Sequence, residues 1–136
     1  MQVDSLARAA ISALEDIKAR DISVLDVRRL TSLFDTVIVA SADSARQTKA
    51  LARHVQDKAK EAGGQVYGVE GEGSGEWVLV DLGDVVVHIM QPAIRDHYNL
   101  EELWGGRRPL PSRAGQATTG VDSLGTPFQY AARGGR

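Results

Sequence analysis

The sequence predicts an α/β chain of the layered α+β kind, a mixed sheet of about five strands with helices packed on it. Two observations carry the prediction. Within the first 104 residues the apolar period switches repeatedly between helical and strand spacing, in the order α-β-β-α-β-β-β-α. The composition, 43% hydrophobic and 25% charged, is that of an ordinary globular chain.

Val3, Leu6, Ala10, Leu14 and Ile17 recur at three- and four-residue steps, which predicts a helix from about Ser5 to Ala19 capped by Asp4 or Ser5. Ile22 to Val27 is rich in branched apolar residues and reads as a strand; Phe34 to Ala40 reads as a second, buried on both faces. A second helix follows, with Ser41, Asp43 or Ser44 as cap, Leu51, Val55 and Ala59 on its inner stripe, and Gly63-Gly64 as its left-handed stop. Three strands come next: Gln65 to Val69, Trp77 to Asp81, and Val85 to Met90. The turn Asp81-Leu82-Gly83-Asp84 makes the last two an antiparallel hairpin. Pro92 ends the final strand, and Ala93 to Leu103 has helical spacing.

A chain of 136 residues fits one domain. Its charge is uneven: residues 1–104 carry 11 Lys+Arg against 17 Asp+Glu, whereas residues 105–136 carry five arginines against Asp122 alone. That last stretch holds 7 of the 14 glycines and 3 of the 4 prolines and has no apolar period, so it reads as a flexible tail beginning at Gly105-Gly106. Its charge suits weak contact with RNA or a solubilising role. No apolar run approaches the roughly 20 residues of a membrane span, and Met1-Gln2-Val3-Asp4 is no start for a signal peptide, so the expected location is the cytoplasm, away from membranes. The absence of cysteine excludes disulfides, thiolate metal sites and cysteine nucleophiles.

The loop Glu70-Gly71-Glu72-Gly73-Ser74-Gly75-Glu76 has the glycines of a phosphate cradle, but its three glutamates repel phosphate and it leads into a strand; it reads as a flexible acidic connector. Glu70, Glu72, Asp81, Asp84 and His88 are the candidates for a hard-metal site, yet Asp81 and Asp84 bracket a turn where aspartate caps local backbone groups. A lone histidine between Val87 and Ile89 is more often packed than ligating. Arg46, Lys49, Arg53 and Lys60 share a helix face that reads as solvated, with Asp57 and Glu61 weakening its field. No catalytic residue, metal or cofactor is assigned. Trp77, Tyr98, Leu100, Leu103 and Trp104 are different, because they gather both tryptophans of an aromatic-poor chain near one end of the domain, and such residues anchor protein interfaces.

Leu25-Asp26-Val27, Phe34-Asp35, Val69-Glu70-Gly71-Glu72, the run from Trp77 to Met90 and Tyr98-Asn99-Leu100-Glu101-Glu102-Leu103-Trp104 resemble, in order and spacing, the ribosomal silencing factor family, also called the Iojap or RsfS family. The resemblance covers residues 1–104 and leaves the tail unexplained. It implies a nucleotidyltransferase-like fold without that activity, and a steric mechanism: binding to ribosomal protein L-fourteen of the large ribosomal subunit, which blocks joining of the small subunit and represses translation when nutrients are scarce. It also implies a homodimer when free. Carried onto this chain, the contact falls on a face formed by Trp77, His88, Tyr98 and Leu100, with Glu101 and Glu102 beside it to steer approach. An acidic, aromatic-bearing domain suits a basic ribosomal protein better than RNA phosphates. The competing readings are a metal-dependent nucleotidyl-transferring enzyme and a small RNA-binding module.

Overall fold

A computed structural model describes residues 3–105. Helix α1 spans Val3–Asp16 and ends earlier than its apolar stripe predicts. Lys18 takes the left-handed conformation (φ +60°), and the amides of Lys18 and Ala19 bond back to the carbonyls of Glu15 and Leu14. This is a Schellman stop with lysine where glycine is usual, which is why no punctuation in the sequence marks it. Helix α2, Ala45–Glu61, starts at Ser44, whose hydroxyl accepts from the Gln47 amide at 3.0 Å, and stops at Gly63-Gly64 as expected.

The strands are β1 (Arg20–Asp26), β2 (Thr36–Ser41), β3 (Gly68–Glu70), β4 (Trp77–Asp81) and β5 (Val85–Met90). β4 and β5 fall where the sequence puts them and form the expected antiparallel hairpin; β3 is shorter and later than expected. At the turn, Asp81 Oδ1 accepts from the Gly83 amide at 2.9 Å, the local capping role expected of it. The predicted C-terminal helix is two pieces, α3 (Pro92–Tyr98) and α4 (Leu100–Leu103), because Asn99 turns left-handed (φ +45°) between them. Asparagine tolerates that conformation better than other side chains except glycine.

The sheet has the order β1-β2-β5-β4-β3, with β2 and β5 parallel and every other pair antiparallel. Strand residues alternate between two faces. One face carries Ile38, Ala40, Val78, Val80, Val87 and Ile89, and it is closed by α1 and α2 through Leu6, Leu14, Leu51 and Val55. The opposite face carries Val37, Val39, Leu79, Val86 and Met90, with Phe34 and Leu100 packed on it. The domain is therefore three-layered, and among the described residues the second face is covered by α3, α4 and the segment 27–34. The region read as a tail lies outside the described residues, apart from Gly105.

Candidate functional site

On the second face the pairing register sets rows of side chains across the sheet. One row runs Glu70, Leu79, His88, Val39, Ser23, and the next holds Trp77, Met90 and Ser41. His88 is therefore neighbour to Trp77, whose indole N–H donates to His88 Nδ1 at 2.9 Å. Because an indole nitrogen can only donate, Nδ1 must be the acceptor and the ring proton sits on Nε2. The imidazole is wholly buried, and the loss of water holds its pKa far below the ordinary value, to about 3. It is neutral packing that fixes the indole.

The Trp77 ring in turn supports Tyr98, with centroids 4.9 Å apart, and Tyr98 meets His97 edge-on at 4.8 Å. Trp104 stands edge-on to Phe34 at 5.5 Å and seals the other end of the layer. Tyr98 is half-buried, with exposed His97 on one side and, past Asn99, exposed Glu102 on the other. The Glu102 carboxylate accepts from the Asn99 side-chain amide at 2.9 Å.

Beneath this surface lies an ion pair. Arg95 and Glu101 have no exposed side-chain surface. Glu101 Oε2 accepts from Arg95 Nε at 3.1 Å, from Arg95 Nη2 and from the Ser23 hydroxyl at 3.0 Å. Arg95 also donates through Nη1 to the Ser41 hydroxyl at 2.9 Å and through Nη2 to Ser23 at 3.1 Å. Serines from β1 and β2 thus bind an arginine from α3 and a glutamate from α4.

The structure brings together the residues singled out from sequence but not all at one surface. Trp77, His88, Leu100 and Glu101 are buried, Tyr98 and Trp104 are partly exposed, and Glu102 and Leu103 face solvent. The steering role expected of Glu101 is corrected, because a carboxylate enclosed with a guanidinium projects little field outward. Glu70, opposite Leu79 at the exposed β3 edge, is the surface acid of the same sheet face. Arg95, Ser23 and Ser41 were not singled out, and nothing in their sequence neighbourhood marks a buried network.

The remaining candidates fall out differently. Among the described residues no group of three His, Asp or Glu is placed to hold a metal ion. Arg46, Lys49, Arg53 and Lys60 are exposed along α2, as read. The acidic loop is not a slack connector: Thr48 Oγ1 and Gln91 Nε2 both donate to the Gly75 carbonyl, at 2.7 and 3.1 Å, and the Gln91 amide donates to the Glu76 carbonyl at 3.0 Å. Gly71 is left-handed (φ +92°), and a Cβ there would lie 2.0 Å from the Trp77 carbonyl oxygen. Gly71 and Gly75, the latter two residues before Trp77, serve close approach to β4 and α2.

A pH dependence of stability follows from His88. The unfolded histidine takes up a proton near pH 6.5 and the folded one only near 3, so stability is complete above about pH 6.5 and falls as pH drops through that window, by up to about 1.4 kcal/mol per pH unit. Asp26 is lowered to about 2 by Arg28 and Asp16 is lowered by His54 and Lys58; both act only below about pH 4. Urea midpoints at pH 7.5 and 5.0 are expected to differ, and His88→Gln to reduce the difference. Equal slopes in the parent and the variant would refute the assignment.

Comparison with known proteins gives concordant matches. The family model described as "Ribosomal silencing factor during starvation" matches residues 1–127, further than the residues 1–104 that carry the resemblance in sequence. The chain is 60% identical over 109 residues to a ribosomal silencing factor RsfS of Chromobacterium violaceum, covering 80% of this chain and 89% of that protein. It is 42% identical over 105 residues to its namesake in Bacillus subtilis, covering 77% and 89%. A crystal structure of a Chromobacterium violaceum protein superposes with a TM-score of 0.79 at 57% identity, covering 84% of this chain and 95% of that one.

Proposed function

Because this chain belongs to the ribosomal silencing factor family, we propose that it represses translation by docking on the large ribosomal subunit, through ribosomal protein L-fourteen, and sterically preventing the small subunit from joining. The observation that carries the docking site is Tyr98, half-buried at the border of the second sheet face and packed against an indole that is itself hydrogen-bonded into the core. A tyrosine held this way loses little rotamer freedom on binding and presents an apolar ring with a polar tip. Glu102 and Glu70 give that border negative charge, which suits a basic protein surface and steers its approach. Trp77, His88 and Leu100 act from behind as the support of the contact.

The mechanism needs no bond making; it needs occupancy of the joining face. The protein works in the cytoplasm and is a homodimer when free; among the described residues no helix is long and apolar enough to cross a membrane. Co-sedimentation with separated subunits tests the reading. The protein is expected to travel with large subunits and not with small ones, and to lower the yield of joined ribosomes when small subunits are added. Failure to bind large subunits at micromolar protein would overturn it.

A further inference from the structure

We propose that the buried Arg95–Glu101 pair is a positioning device for Tyr98, holding the docking surface in shape; the inference rests on the docking reading above. The two charged residues stand on either side of Tyr98-Asn99, the point where α3 stops and α4 begins. Asn99 is left-handed there, so neither helix continues through it to hold the corner. The corner is instead held from below: Arg95 binds Ser41 on β2 and Ser23 on β1, and Glu101 binds Arg95 and the same Ser23. Four side chains from four elements thereby set where residues 95 and 101 sit, and Tyr98 is carried between them against Trp77.

Two features favour positioning over simple adhesion. Charges taken wholly out of water lose hydration that their attraction only partly restores, so apolar side chains of similar volume hold such a site at least as firmly. The satisfaction is also one-sided, because Glu101 Oε1 accepts no hydrogen bond while Oε2 accepts several. What the pair offers that apolar contact lacks is direction: a planar guanidinium fork has a fixed orientation to its carboxylate and its two hydroxyls.

The decisive variant is Arg95→Met with Glu101→Leu, which removes both charges and keeps the volume. It is expected to unfold at a denaturant concentration at or above the parent's, to lose near-ultraviolet circular dichroism from the Trp77–Tyr98 pair, and to bind large subunits at least tenfold more weakly. Parent-like dichroism and binding in the folded variant would overturn the proposal, since simple adhesion is preserved by the exchange. Should the double variant fail to fold, Arg95→Lys decides, because it keeps the charge and loses the fork: weakened dichroism supports positioning, and parent-like dichroism overturns it. Dichroism also separates the two readings. If Tyr98→Ala leaves binding intact, the docking site is wrong; lost dichroism in the charge-free variant still upholds the clamp.

Discussion

Tyr98→Ala is expected to weaken retention on large ribosomal subunits by about 2 kcal/mol or more, roughly thirtyfold, while costing the fold much less. Interface energy concentrates in a few aromatic anchors, and Tyr98 is a partly exposed aromatic of this face. Trp77 is the less informative target. It is only 6% exposed, so Trp77→Ala removes a buried ring, opens a cavity and leaves His88 without its indole donor. A loss of binding there mixes contact with unfolding. The measurement is titration of large subunits with parent and Tyr98→Ala protein, alongside thermal melts of both; an affinity within twofold of the parent's would move the docking site away from this corner.

Arg95→Ala is expected to destabilise the fold by about 3–5 kcal/mol, the cost of leaving Glu101 as a buried charge without its cation. That is a large share of the 5–15 kcal/mol by which domains usually exceed their unfolded chains. Urea unfolding reads it directly. Equal stability of parent and variant would overturn the expectation.

The sequence makes legible those parts of the fold that rest on local chemistry. The β4–β5 hairpin shows itself by two apolar runs around Asp81-Leu82-Gly83-Asp84, and α2 by its serine cap and paired glycines. The stop of α1 does not, because Lys18 takes a left-handed angle that tertiary packing imposes. Nor does the corner at Asn99, where asparagine is permitted to bend but not obliged to. For the site, an aromatic cluster can be read from composition, yet which member reaches solvent depends on sheet register, and register is a matter of pairing across the chain. Glu101 and Glu102 illustrate this best: adjacent and chemically identical, one lies in the core with Arg95 and the other faces water. Only the rotation between successive helical residues, about 100°, separates them.

The parallel β2–β5 pair at the centre of the sheet bears on how the molecule comes to exist. Its partners, such as Thr36 and Val85, are about fifty positions apart, whereas β1–β2 and β4–β5 are each joined by short links. Closing that seam is the step with the greatest loop entropy, and it unites two antiparallel pairs that each expose an unpaired central strand until it happens. During synthesis the N-terminal half, complete through α2, must wait for β5 to emerge before β2 acquires its second neighbour. A chain interrupted anywhere before Val85 is therefore left with β2 as an open sheet edge, a substrate for chaperones and proteases rather than a truncated regulator.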